Sequence, residues 1–201
     1  MNSKERIIRA AIDCFSKKGF DGVNVELISR KAGVSKGTIF YYFGSKKNLY
    51  LNAIESSMKP MLLGLSRRID KAETLEELFG EIVSSYLDFL YRNRKLFLII
   101  VRDMLDGGKN IGIFLKNALE EYGLRKKLMK KIELWKEDKN AKGLNSEQII
   151  IHFLSMLYFP IIAEPLIKEI LNTDPRSEEY IKERKNTIIQ LLMKGIKGGE
   201  K

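Results

Sequence analysis

The sequence predicts an all-α protein of about nine helices, with three short ones in a basic N-terminal module and longer ones in the domain that follows. Three observations predict this. Apolar residues recur at i, i+3, i+4 and i+7 along nearly the whole chain, the stripe of an amphipathic helix. Ser, Thr and Asn at cap positions, and Gly at helix ends, punctuate that stripe at helix-length intervals. No segment shows the strict alternation of a half-buried strand, and no repeat period or low-complexity tract intervenes.

In chain order, Ile8, Ala11, Ile12 and Phe15 form the first stripe, with Ser3 as candidate N-cap. Gly19 stops that helix after Lys17 and Lys18, cations suited to the negative C-terminal end. Asn24 caps a short second helix that packs Leu27, Ile28 and Ala32 and ends at Gly33. Ser35 caps the third, which Gly44 ends; Ser45 caps a long fourth with a bend expected at Pro60. Thr74 with Glu77 forms a capping-box pattern opening the fifth. Further helices are expected over about 95–105 and over 111–135 around Gly123. "KEDKNAKGLN" (136–145) reads as the one long loop, a helix begins at Ser146, and a last one follows "NTDPRSEE" to about Ile196. The domain boundary is placed at residue 60, giving an N-terminal domain 1–60 and a C-terminal domain 61–201.

The charge narrows the function. The chain carries a formal +10, of which residues 1–60 hold a net +6 from 11 Lys and Arg against 5 Asp and Glu. A basic module on a nearly balanced body favours a polyanionic partner, nucleic acid before membrane. Cys14 is the only cysteine, so an internal disulfide is excluded and a reducing, cytoplasmic compartment is expected. His152 is the only histidine, which excludes multi-histidine metal sites; no cofactor is expected. No signal core is present at the N-terminus, and the longest unbroken apolar run, "LFLIIV" (96–101), is far short of a membrane span. No phosphate-binding glycine loop, nucleophile–base pair or metal cluster is visible, so an enzyme is not expected.

The stretch "GVSKGTIFYYFGSKKNL" (33–49) carries the chemistry. Two short helices joined through "AGVS" match a helix-turn-helix, with Gly33 supplying the turn residue tolerant of positive φ. At 100° per residue Ile39 and Phe43 share one face, with Phe40 beside them, and are expected to bury. Gly37, Thr38 and Tyr41 occupy the opposite face, flanked by Lys36 and Tyr42. That face suits DNA: Ser35 and the helix N-terminus can hold a phosphate, and Gly37 lets the backbone approach closely. Thr38 and Tyr41 can reach bases or phosphates. Lys46, badly placed for its helix dipole, is explained if a phosphate binds there. The alternative reading is a plain three-helix packing unit with surface tyrosines.

Residues 5–55 closely resemble the helix-turn-helix of the TetR family of one-component transcriptional regulators, through the G-F before the second helix, A-G-V-S-K-G-T, and Y-Y-F-x-S-K-x-x-L. The resemblance implies a recognition helix over about 35–42 and DNA contacts at Asn24, Ser35, Lys36, Gly37, Thr38, Tyr41, Tyr42 and Lys46. Asn24 stands where threonine is commonest and Phe40 where tyrosine is frequent. Beyond residue 60 only helix count and length match. The resemblance also implies that the last two helices pair with their symmetry mates. Candidate dimer residues are Phe153, Leu157, Ile161, Ile181, Ile188 and Leu192, with intramolecular packing the alternative.

Within the C-terminal domain, Pro160 and Pro165 are expected to kink or break the apolar helix around 149–163, leaving room for a ligand. Phe89, Phe97, Trp135, His152, Met156 and Phe159 are candidates to line an effector pocket, with plain core, or for His152 a core or interface position, the favoured alternative for each. The expected function is a homodimeric repressor released from a palindromic double-stranded DNA operator by a small, largely apolar effector. A constitutive or architectural DNA-binding protein is the alternative.

Overall fold

A computed structural model describes residues 2–138 and 145–197. Among these residues eleven helices and no strands occur: α1 (Ser3–Lys18), α2 (Val25–Ala32), α3 (Lys36–Phe43), α4 (Lys46–Lys71), α5 (Leu75–Arg92), α6 (Arg94–Leu105), α7 (Lys109–Glu121), α8 (Leu124–Asp138), α9 (Ser146–Ile162), α10 (Glu164–Leu171) and α11 (Glu178–Lys197).

Two splits raise the count above nine. The helix expected over 111–135 breaks at Gly123, whose φ of +61° is left-handed and ends α7 before α8 begins. The apolar segment breaks at Ala163, where α9 and α10 meet at a bend of 72°. The break comes after Pro160, not at it. Pro160 lacks the N–H that would bind the Met156 carbonyl. The Arg184 guanidinium of α11 donates to that carbonyl instead, so α9 continues to Ile162. Pro165 lies in the first turn of α10, where its missing N–H costs nothing.

The caps explain the other ends. Asn2, not Ser3, caps α1: its Oδ1 accepts from Glu5 N at 2.9 Å while Glu5 Oε2 accepts from Asn2 N at 3.1 Å. Asn24 Oδ1 accepts from Leu27 N at 2.8 Å, and Thr74 Oγ1 accepts from Glu77 N at 3.1 Å. Proline 60 lies inside α4, which stays one helix over its 26 residues.

The chain forms two compact units. The first contains residues 1–62 and 93–121, the second 63–92 and 122–201. Residues 93–121, assigned from sequence to the C-terminal domain, belong with the first unit because α6 packs on α1 as α2 does. Its core holds Ile7, Ala11, Phe15, Ile28, Ile39, Tyr50 and Phe97. Phe15 and Phe20 meet the Tyr50 ring edge-on at 5.0 and 5.1 Å. Buried Asp103 joins three elements, accepting from Tyr50 Oη at 3.3 Å, Asn110 Nδ2 at 2.8 Å and Ile111 N at 2.8 Å. Burial and the neighbouring Asp103 raise the Tyr50 phenol far above its ordinary pKa, so this donor keeps its proton. The second unit packs α5 against α9 and α11 around Leu78, Phe79, Val83, Leu87, Phe153, Leu157 and Ile188. Tyr86 and Tyr158 pair their hydroxyls inside it.

Candidate nucleic-acid interface

The turn between α2 and α3 is built on Gly33 at φ +63°, ψ +44°, whose N–H reaches back to Arg30 O at 3.3 Å while Val34 N reaches Ser29 O at 3.1 Å. A residue with a Cβ is strained there, which is why the turn carries glycine. Ser35 then starts α3: its Oγ accepts from Thr38 N at 3.0 Å and lies 2.9 Å from Thr38 Oγ1.

The α3 helix presents two different faces. Ile39 and Phe43 are 1% and 5% exposed and fix it to the core, whereas Tyr41 is 84% exposed. Tyr42 is exposed beside it, and the two rings meet edge-to-face at 5.3 Å. Phe40 is also exposed, a correction to its expected burial beside Ile39. On a helix only residues three or four apart stack on one line, and Phe40 is one step round from Ile39. Gly37 is not demanded by the fold. A Cβ placed there would meet only Ser35 Oγ at 3.6 Å, an ordinary contact. Glycine here gives up about 1 kcal/mol of helix propensity, and no contact within the described residues accounts for it.

Lys36 forms an exposed ion pair with Glu26 at 2.8 Å, and that contact lowers the Glu26 carboxyl below its ordinary pKa. Lys46 departs from expectation. Its Nζ donates to Phe20 O and Val23 O, both at 3.0 Å, and lies 4.3 Å from the centre of the Phe20 ring. Two carbonyls and an aromatic face therefore satisfy the ammonium at its unfavourable helix end, and no phosphate is required to explain it. Asn24 is exposed, with its side-chain oxygen committed to the α2 cap. The structure thus gathers Ser35, Lys36, Gly37, Thr38, Tyr41 and Tyr42 on α3 and its cap, and gives Lys46 a structural task.

Sequence reasoning missed Asp13. Its buried carboxylate takes hydrogen bonds from Lys31 of α2 and Lys95 of α6, with Lys17 3.5 Å away. Those contacts, Lys31 foremost, hold the carboxyl well below the usual carboxylate range. Partners this far apart in sequence leave no local signal. Cys14, next to it, is buried, and desolvation raises its thiol pKa, as suits a small core side chain.

The candidate effector residues divide between the two units and between buried and exposed positions. Phe97 belongs to the core of the first unit, while Phe89 and Met156 are half-buried in the second. His152 and Phe159 are exposed on α9, and the Trp135 side chain lies outside the described residues. The candidate dimer residues also need correction. Phe153, Leu157, Ile161, Ile188 and Leu192 are between 0% and 8% exposed within the chain itself, and Ile181 is half-buried. Intramolecular packing takes that face because α9 is apolar all round, so periodicity could not say which side looks inward. The face left uncovered carries Ile151, Leu154, Phe159 and Ile162 of α9, and Leu191 of α11 is exposed too.

Residues 7–53 match the bacterial regulatory proteins of the tetR family. The chain carries a TetR-family helix-turn-helix domain. It is 31% identical over 107 residues to the HTH-type transcriptional repressor NicS of Pseudomonas putida, a match covering 53% of this chain and 50% of that protein. It therefore spans about half the length of that relative. It is 23% identical over 190 residues to the probable HTH-type transcriptional regulator YttP of Bacillus subtilis, covering 90% and 88% of the two chains. A solved transcriptional regulator of Aquifex aeolicus VF5 superposes with a TM-score of 0.64 at 26% identity, over 96% of this chain and 98% of that one. The TetR-type fold thus extends past the helix-turn-helix into the helices behind it. The relatives matched are transcriptional regulators, not enzymes.

Proposed function

We propose that the protein is a sequence-specific DNA-binding transcriptional regulator that works as a homodimeric, ligand-responsive repressor. One observation carries the DNA reading: a helix anchored by Ile39 and Phe43 turns Tyr41, Tyr42, Thr38 and a dispensable Gly37 outward. In this reading Ser35 and the free N–H groups of α3 hold a phosphate, Tyr42 and Lys36 contact the backbone, and Thr38 and Tyr41 reach base edges. Asn24 adds an amide at the groove edge, and Lys46 contributes through its one remaining N–H.

The dimer is supported by the uncovered apolar face of α9, since a row such as Ile151, Leu154 and Ile162 is costly to leave in water. Two-fold symmetry then sets two reading heads about 34–36 Å apart on a near-palindrome. A small, largely apolar effector in the second unit would favour a conformer with another spacing. A differential affinity of about 1–3 kcal/mol suffices to weaken DNA binding roughly 5- to 150-fold.

The test is fluorescence anisotropy of the protein on DNA upstream of its own gene, against a random duplex of equal length, over a range of salt. Specific binding about 10³-fold or more above random supports a regulator. Equal binding to both, collapsing together with salt, supports an architectural protein instead.

A further inference from the structure

The first unit contains a groove between α1, α2, α4 and α6 with a volume of about 730 Å³. That lies within the ~300–1,000 Å³ usual for small-molecule sites. Its chemistry is lopsided. Arg6, Arg9, Lys31 and Lys95 reach it from three helices, and the carboxylates on its wall are Glu5 and Asp13. Both carboxylates are already engaged: Glu5 closes the α1 capping box, and Asp13 holds Lys31 and Lys95. The half-buried Arg6 has a serine hydroxyl, Ser3 Oγ at 3.4 Å, and Arg9 has no hydrogen-bond or ion-pair partner among the described residues.

Two guanidiniums without a counter-ion therefore share a concave wall with two lysines that divide one carboxylate. Clefts lined by one sign of charge concentrate counter-ions, and guanidinium forks suit flat or tetrahedral oxyanions. The rest of the wall is mostly apolar, with Ile8, Ile12 and Ala32, and with Ser56 of α4 as its one further polar side chain. None of this belongs to the DNA-reading helix, since α3 contributes no residue to the groove. An apolar wall also suits a compact organic body better than a nucleic-acid backbone. We propose that this groove binds a small organic anion: an oxyanion head against Arg6, Arg9, Lys31 and Lys95, and a compact apolar body against Ile8 and Ile12. Such a ligand draws on the ammonium groups that hold Asp13, so it bears on how α1 is tied to α2 and α6. The inference stands apart from the DNA reading and does not need it.

Phenyl phosphate serves as the probe, titrated calorimetrically into the full chain at constant ionic strength, with benzyl alcohol and potassium chloride as controls. Saturable binding in the millimolar range or tighter is expected. Arg9→Gln and Lys95→Gln should each weaken it by about five-fold or more, the scale of one lost charge-assisted hydrogen bond. Lys182→Gln, at an exposed position of α11, should leave it unchanged. Arg9 is exposed, so its variant folds even where loss of the Asp13–Lys95 pair weakens the other. Heats no larger than the controls, or binding indifferent to Arg9→Gln, overturn the proposal. So does loss of DNA affinity and salt dependence in the groove variants without phenyl phosphate binding, which assigns the surface to the DNA backbone.

Discussion

Replacing Tyr41 by alanine separates recognition from folding more cleanly than any other change in α3. The side chain is 84% exposed, and its one aromatic neighbour, Tyr42, is itself on the surface. Folding stability should therefore move by no more than about 0.5 kcal/mol, since a lost edge contact between exposed rings is offset by the better helix propensity of alanine. DNA binding should respond strongly. A hydrogen bond to a phosphate or base edge contributes about 1–2 kcal/mol. Two-fold symmetry removes it twice, so the loss is about 2–4 kcal/mol, or roughly 30- to 700-fold in Kd. The assay is anisotropy with the upstream duplex at one salt concentration, paired with thermal melting of the free protein. Tyr41→Phe locates the effect: a comparable loss assigns it to the hydroxyl, and near-normal binding assigns it to the ring. The slope of affinity against salt should not change, because tyrosine is neutral and releases no counter-ion of its own. Unchanged affinity with unchanged melting would refute the reasoning, for it would mean that the most exposed aromatic of α3 touches nothing on the DNA.

Lys36→Ala should lower affinity alike on operator and random DNA and reduce the salt slope by about 0.9 per subunit, as expected of a phosphate contact. Gly33→Ala meets no atom closer than Arg6 Nη1 at 3.8 Å, so its cost is the left-handed backbone alone. About 1–2 kcal/mol and a few degrees of melting temperature are expected. Asp13→Asn should cost about 1–2 kcal/mol at neutral pH, a buried carboxylate contact discounted for the exposure of its lysines. The Asp13 pKa is depressed in the folded state, so its contribution is fully present above the ordinary value of 3.8 and is lost as pH falls through the lower folded value. Denaturant titrations should accordingly show a constant gap between wild type and variant above about pH 5, narrowing only in stronger acid. Ile162→Glu, on the uncovered face of α9, should keep the helical spectrum but shift the protein from dimer to monomer in light scattering. A dimer unaffected by it would place the interface elsewhere.

How far the sequence could be read depended on the range of the interaction involved. The α2 cap at Asn24, the turn at Gly33 and the capping box at Thr74 act over three or four residues and stand where the sequence places them. Tyr41 and Phe43 differ in exposure by the angle between two positions on one helix, which spacing alone supplies. The contacts of Lys46 were not legible, because its partners, the carbonyls of Phe20 and Val23, are backbone atoms that no residue type advertises. The apolar segment does break between Pro160 and Pro165, but at Ala163, and the exact place was not legible because the donor that carries α9 past Pro160, Arg184, comes from another helix.

Taken alone, the sequence determined the all-α class, the helix-turn-helix and, Phe40 apart, the outward face of α3, because caps, glycines and a 3.6-residue period are local physics. It could not determine which side of α9 is core. That helix is apolar on every side, so only packing against α5 and α11 decided that Phe153 and Leu157 turn inward while Ile151 and Ile162 stay exposed. Nor could it group Asp13 with Lys31 and Lys95, or residues 93–121 with the first unit. Those are contacts between distant segments, and they exist only once the helices have been laid against one another.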